Sequence, residues 1–534
     1  MTRTQRAILI LGGGTMQIPA LQAARGLGLQ VHMADGNASC PGRADADVFH
    51  HVDLRDREGL LASARQIDRL AGVFTAGTDF SSSVAWVAQA LGLPGIPYET
   101  SLDATDKGRM RRRLESGGVP IPQYTVVQQN ESADRAMDRC RRTFSLPVVC
   151  KPVDNMGARG VRQVDRWDEL TPAVAAARET SVGGDVIVEE RIPGREFSLD
   201  ALVIDGRIEV TGVADRHVFF PPWFVELGHT IPTALDARRQ AILEATFRDA
   251  IRALGINRGA AKGDVFLVEE QDGPRAVVGE IAARLSGGYM SGWTYPRATG
   301  IPLTELAIRI AIGENPAPEH FRPRRQRVSA ERAVISAPGR VERVVVPDDA
   351  LQPEEALFLR CAPGDRVAPP TNNVEKVANV ITVADSRTAA EDRAQQLIGQ
   401  VEVHLTPGDP ESDRFMFQDG WRSRFASFGV DDGDGAAIAA RPGAGAELHL
   451  IAATMGKGPL PVRDLPVKLR RSIRPRHIVL APDELLATAE ERGMIRWEDG
   501  ATAVDGFFWR AFLAAGLQGI VYVRATVAAE GTAP

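Results

Sequence analysis

The densest group of chemistry-bearing residues lies between Lys262 and Arg284. Lys262-Gly263-Asp264 opens an apolar strand, Gln271-Asp272-Gly273 forms a turn, and Arg275–Ala282 returns. With three residues in the turn, facing positions have numbers that sum to about 544. Asp264 then lies opposite Glu280, with Cβ atoms about 5 Å apart on one face. Two acids so placed repel each other unless a cation sits between them, and Mg²⁺ shared with substrate phosphates is the natural occupant. Lys262 falls on the same face as Asp264, and Arg284 follows Glu280 by four residues. Both suit negative charge developing on a transferred phosphoryl group or a tetrahedral intermediate. A plain salt-bridge ladder is the alternative, but the apolar neighbours Val265, Phe266, Leu267, Val277, Val278 and Ile281 make four buried charges costly.

Three further groups precede it. Lys107 starts a helix, where its charge opposes the dipole, and Lys151 ends an apolar strand; both types neutralise polyphosphate as point charges. The loop Asn155-Met156-Gly157-Ala158-Arg159-Gly160 is built of residues that let backbone amides approach a phosphate, with Gly157 and Gly160 as its glycines. The run Glu189-Glu190-Arg191-Ile192-Pro193-Gly194-Arg195-Glu196 leaves a strand as a hinge. Its backbone suits adenine, and Glu196 can accept from ribose hydroxyls. Taken singly, the lysines also read as surface residues, the loop as a turn and the acids as an acidic surface turn.

These residues need a scaffold. Ala7–Leu11, Gln30–Ala34 and Leu70–Thr75 read as buried strands separated by helices at about Pro19–Leu27 and Ser83–Leu91, a parallel Rossmann-like arrangement. Gly12-x-Gly14-x-x-Gln17, with Asp35 downstream, is a partial dinucleotide fingerprint lacking its third glycine; a tight turn and an anion-binding helix start are the other readings. Further on, Asp106–Ser116 and Arg238–Leu254 read as helices, Leu146–Pro152 and Gly184–Glu190 as strands, and Phe197–Ile204 with Arg207–Val213 as a hairpin around Asp205-Gly206. Asp215–Thr230, carrying His217 and His229, reads as less regular, a place for a lid or for structural histidines. Arg322–Arg327 is a basic linker. Residues 328–405 read as β-rich and close on a helix, Thr388–Ile398. The remainder contains Asp431-Asp432-Gly433-Asp434-Gly435, an acidic turn with a weak calcium flavour, and a strand-like GIVYV.

In this order and spacing, TDKGRMRRRLESGGVPIP, VVCKPVDNMGARGV, VIVEERIPGREFSLD and KGDVFLVEEQDGPRAVVGEIAARLSGG resemble the ATP-grasp superfamily, in its branch of amino-acid ligases and carbamoyl-phosphate-synthetase-like proteins. The resemblance covers about residues 1–400. It implies a mixed α/β and α+β chain: a Rossmann-like domain (1–105), an ATP-grasp domain (106–321, with subdomains 106–195 and 196–321), a C-terminal β-rich lobe (322–405) and an additional domain of no assigned role (406–534). It further implies ATP and Mg²⁺ (or Mn²⁺) as cofactors. Lys107, Lys151, Gly157, Gly160, Glu189, Glu190, Ile192 and Glu196 would hold ATP, Asp264 and Glu280 the metal, and Lys262 and Arg284 the reacting groups. The implied reaction is ATP-dependent ligation of a small-molecule carboxylate to an amine, through an acyl phosphate. Ala282 departs from the pattern, since many members carry a metal-binding Asn there. Other readings use the same parts: a purine-pathway or carbamoyl-phosphate enzyme, a non-catalytic ATP-binding regulatory protein, and a Rossmann NAD-dependent oxidoreductase.

Composition bounds these readings. The chain has 534 residues, 63 Lys and Arg against 69 Asp and Glu, and a formal net charge of −6, which excludes a broadly basic nucleic-acid binder. Cys40, Cys140, Cys150 and Cys361 show no C-x-x-C spacing and are too few for a disulfide scaffold. No apolar run approaches the ~18 residues of a membrane span. A cytoplasmic enzyme of small molecules is expected, with neither nucleic-acid nor membrane partner, and homodimers are frequent among such relatives.

Overall fold

The computed structural model describes residues 5–429, 474–476, 479–495 and 506–530. The AILIL run forms β1 (Ala7–Leu11), fully buried, at the inside of a parallel sheet with β2 (Gln30–Asp35), β3 (Val48–His51) and β4 (Leu70–Phe74), in the order β3-β2-β1-β4. The glycine turn after β1 is tied up internally. Asp35 accepts the Gly13 N–H at 2.7 Å, and Gln17, in the place of the third glycine, exchanges hydrogen bonds with the backbone of Ala76 at 2.7 and 2.9 Å. The acid that a ribose would need is thus occupied by the loop's own amide.

A second, antiparallel sheet has the order β5-β8-β6-β7, from β5 (Tyr124–Val127), β6 (Val148–Pro152), β7 (Arg162–Val164) and β8 (Val186–Glu190). It carries Lys151 on β6 and the acidic pair Glu189-Glu190 at the end of β8.

The third sheet has eight antiparallel strands: β9 (Arg195–Ile204), β10 (Arg207–Phe219), β11 (Val225–Ile231), β12 (Gly259–Glu270), β13 (Gly273–Ala282), β14 (Val328–Val334), β16 (Ala356–Leu359) and β18 (Ala378–Ala384), ordered β13-β12-β9-β10-β11-β14-β18-β16. The β11–β14 pairing joins the strands before the basic linker to those after it in one surface. A small sheet of β15 (Gly339–Val345), β17 (Arg366–Val367) and β19 (Glu402–Leu405) lies beside it. The helix Ala237–Leu254 starts at Asp236, whose carboxylate accepts the Arg239 N–H at 2.9 Å, and stops at Gly255 with φ of 74°. Its apolar face (Leu243, Phe247, Ile251, Leu254) packs against β12 and β13.

Two expectations change. Residues 215–230 are not irregular: they are the facing ends of β10 and β11, joined by the tip Phe220–Phe224, so His217 and His229 are strand residues. The Pro221-Pro222 pair and Gly228 disguise the strand pattern in the sequence. GIVYV is not a strand but part of the helix Leu517–Glu530, where Ile520, Val521, Tyr522 and Val523 are all buried. A short apolar run has no period by which to tell a buried helix from a strand. The acidic run 431–435 lies outside the described residues. Among those described, no helix is long and apolar enough to cross a membrane.

Phe247 is fully buried, and a Cβ added at Gly263 would come within 2.6 Å of its ring. Phe247→Ala is therefore expected to cost about 3–5 kcal/mol in urea-unfolding stability, with the hairpin it supports loosened.

Candidate active site

The hairpin β12–β13 begins with a two-residue turn, since Glu270 pairs with Gly273. That register alone would offset Asp264 from Glu280 by one residue. A bulge at Gly279 restores it: Val265 pairs with Val278, but Asp264 pairs with Glu280. The expected facing pair is present, though through a tighter turn plus a bulge. The bulge needs glycine, because a Cβ at Gly279 would lie 2.7 Å from the Phe266 ring.

Asp264, Glu280 and Lys262 border one cavity of about 690 Å³, together with Lys107, Lys151, Gly157, Glu189, Glu190, Ile192, Glu196 and Arg284. Gly160 stands behind the wall, turning the loop with φ of 72°, close against Thr180. The cavity lining includes the hinge residues 189–192 and 194–196, Arg284, Arg360 and Lys376. Its wall carries ten Lys and Arg against seven Asp and Glu, in a chain whose net charge is −6. Positive charge is thus concentrated where an anionic ligand would sit.

Each expected residue has a partner. Asp264 accepts from Ser198 at 2.8 Å, lies 3.0 Å from Arg216 and pairs with Lys262. Lys107 is buried, donates to the Asn155 carbonyl at 2.7 Å and lies 3.7 Å from Glu280. Burial would raise both carboxyls, but Arg216 and Lys262 at Asp264, and Lys107 at Glu280, outweigh it and hold both below the usual range. Glu196 pairs with Arg216 at 2.5 Å. Arg284 donates to the Leu285 carbonyl and reaches the Met156 sulfur at 3.4 Å, which ties it to the glycine loop. Glu190 accepts the Gln123 N–H at 3.1 Å. Ile192 packs with Val268 and Val277 beneath the hinge.

For Glu189 the hinge expectation concerned the backbone alone. Its carboxylate does not point along the hinge but is gripped by Arg111 at 2.7 Å and Lys151 at 2.6 Å. Only the backbone of this residue is left to serve an adenine. Burial would raise its carboxyl, yet the two cations outweigh it and hold it at about 2. Arg111, fully buried, also donates to the Gly279 carbonyl at 2.6 Å, so one guanidinium fastens β8 to the bulge that aligns the two acids.

Arg111, behind the wall, and Arg216, Glu226 and Lys376, in it, escaped the sequence reading, and the partners of His229 were not foreseen. Arg111 follows Lys107 by one helical turn, on the buried face with Met110 and Leu114, a spacing that marks it within an otherwise solvent-like RMRRR run. Arg216 on β10 touches Glu196, Glu226 and Asp264 at once. His229 lies between Glu226 at 3.3 Å and Glu331 at 3.1 Å; burial would depress it, but the two acids raise it above the ordinary histidine value. Lys376 lies 3.8 Å from Glu226. Apart from His229 and Glu226, which share β11, these pairs join different elements of the fold, so no local motif marks them.

The donor set fits a magnesium carried in by a nucleotide. Asp264 and Glu280 supply oxygen ligands on one face, Ala282 adds none, and among the described residues no three His, Cys, Asp or Glu form a metal-holding group. Two carboxylates completed by phosphate oxygens and water is the usual arrangement for Mg²⁺.

The stability carried by Glu189 is present above its unfolded value, near 4.5, and lost as pH falls toward its folded value of about 2. Glu189→Gln is expected to remove roughly 2–3 kcal/mol at neutral pH and to flatten the acid limb of the unfolding curve between those values. Urea midpoints measured across that pH range check this.

Comparison with known proteins agrees with this geometry. The model of the ATP-grasp domain matches residues 144–291, and that of the L-amino acid ligase C-terminal domain 2 matches residues 332–406. Carnosine synthase 1 of Gallus gallus is 26% identical over 348 residues, covering 60% of this chain and 36% of that protein. D-alanine--D-alanine ligase of Mycobacterium avium (strain 104) is 32% identical over 241 residues, covering 40% of this chain and 62% of that one. The chain therefore spans less than two thirds of either relative. Among solved structures, the L-amino acid ligase from Bacillus licheniformis superposes with a TM-score of 0.64 at 22% identity, covering 76% of this chain and 100% of that one. The facing acids, the lysines and the hinge thus lie on a shared fold, and the chain carries an ATP-grasp domain over residues 144–291 followed by an L-amino acid ligase C-terminal domain 2 over residues 332–406.

Proposed function

We propose that this chain is an ATP-dependent carboxylate–amine ligase. The observation that carries the reading is the facing pair Asp264 and Glu280 on the wall of a cation-rich cavity of about 690 Å³. At the hinge end, the backbone of 189–192 would take the adenine and Glu196 the ribose. Lys107 and Lys151 would bind the phosphates. Asp264 and Glu280 would hold Mg²⁺, which supplies charge neutralisation for the polyphosphate.

The wall also carries both signs in one cluster, Glu226 held by Arg216, His229 and Lys376, with Arg360 also on the wall. Amino-acid-type substrates, which carry both signs, suit that pattern. A substrate carboxylate oxygen attacks the γ-phosphorus and ADP leaves. The amine then attacks the acyl carbon, phosphate leaves with the carboxylate oxygen, and the nitrogen gives up a proton. Lys262 and Arg284, on the cavity wall, would face the charge that develops in both steps. Positioning and charge neutralisation perform this chemistry, so no protein nucleophile is needed.

An ADP-release screen of carboxylic acids paired with amino acids tests the reading. ADP is expected only when acid, amine and Mg²⁺ are all present; none across the panel, or equal ADP without the amine, would contradict it. With an active pair, Glu280→Gln is expected to lower kcat at least about a hundredfold while its circular dichroism stays that of the parent. Lys151→Ala is expected to raise the KM for ATP about tenfold or more, read from initial rates.

A further inference from the structure

The β10–β11 hairpin ends in the tip Phe220–Phe224, which stands between the cavity and the chain beyond residue 406. Phe220 and Phe224, at its shoulders, have φ of 61° and 55°. Left-handed backbone at side-chain-bearing residues is strained and persists only where surroundings enforce it.

One set of contacts faces the cavity. Phe219, Pro221 and Phe224 line it, and the Arg191 guanidinium of the hinge lies 5.2 Å from the Phe224 ring centre. The Pro222 carbonyl accepts the Gln163 N–H of β7 at 2.8 Å. The tip therefore touches both the hinge and the second sheet, the two elements that border the nucleotide end.

The other set comes from the C-terminal extension. Phe425 stacks on Trp223 with ring centres 5.2 Å apart and planes at 19°, and packs on Phe220 at 5.0 Å. Arg424 also lies over Trp223, 5.2 Å from its ring centre, and donates to the Pro221 carbonyl. This segment is itself anchored. Ser427 N–H donates to the Ala514 carbonyl at 3.0 Å, and the buried Phe428 stacks on Phe512 at 4.9 Å, both partners belonging to the helix Gly506–Ala515.

We infer that Arg424 and Phe425 are positioning residues for nucleotide binding: through them the C-terminal extension seats the hairpin tip so that Phe219, Phe224 and Arg191 wall the hinge end of the cavity. The inference rests on the nucleotide reading of that cavity and gives the extension a part in it. Neither residue lines the cavity, so both act through the tip.

Titration of the full-length chain with Mg·ADP, by calorimetry, tests it. Losing one stacked ring or one cation over a ring is worth a factor of several, so Phe425→Ala and Arg424→Ala are each expected to weaken Mg·ADP about five- to tenfold. Phe425→Tyr is expected to restore binding to within about twofold. In the ADP-release assay, the KM for ATP is expected to rise while kcat and the KM for the other substrates hold. Arg424 is exposed, so its variant reports even if Phe425→Ala folds poorly. Affinity within twofold of the parent in Arg424→Ala and any folded Phe425→Ala, or equal weakening of every substrate, would overturn the inference. A parent that bound no Mg·ADP would overturn the ligase reading, and this with it. A parent that bound tightly beside unchanged variants would overturn this alone.

Discussion

Two carboxylates held side by side in a buried wall are the constraint around which the site is arranged. Asp264 and Glu280 repel, and desolvation penalises both. The chain answers with cations from four separate elements. Arg216 comes from β10, Lys262 from β12, Lys107 from the helix Lys107–Ser116, and Arg111, on that same helix, acts through the bulge carbonyl of Gly279, while Lys151 on β6 shares Glu189 with it. Each acid is thereby kept ionised without a ligand. The cations that do this are also those a polyphosphate would meet, so the pairing that stabilises the free chain prepares the site for its charged ligand.

That arrangement depends on backbone detail as much as on charge. The turn between β12 and β13 is one residue too short to align the acids, and the Gly279 bulge supplies the missing residue. Arg111 then fixes the bulge to Glu189, so the register of the third sheet is tied to the second. Close approach of Gly77 to Gly287, whose backbone a Cβ at Gly77 would meet at 2.8 Å, brings the N-terminal sheet against the segment after Arg284. Three sheets therefore converge on one cavity through a bulge, a buried guanidinium and a glycine contact.

Much of this was legible in the sequence. Two apolar runs around Gln271-Asp272-Gly273 revealed the hairpin, and the even spacing of Lys262, Asp264 and Glu280 revealed their common face. The register came out right although the turn was taken as one residue too long, because the bulge compensated; bulges leave only a glycine as their trace. Glu189 was placed correctly along the chain, but its side-chain direction was not readable, since Arg111 lies 78 residues away in sequence. Arg216, Glu226 and Lys376 were missed because ion pairs across a hairpin read as irregular, or to a loop far along the chain, have no local pattern. The helix Leu517–Glu530 was read as a strand because four consecutive apolar residues suit either state when every side is buried.

If Asp264 and Glu280 hold a metal only in company with phosphate oxygens, divalent-ion binding must depend on the nucleotide. Electron paramagnetic resonance of free Mn²⁺, titrated with the full-length chain with and without ATP, measures that dependence directly. The facing-acid arrangement requires weak Mn²⁺ uptake by the protein alone and, with ATP, uptake beyond that of ATP in buffer, an excess abolished by changing either acid to its amide. Equal uptake with and without nucleotide, or an excess that survives loss of both carboxylates, would contradict it.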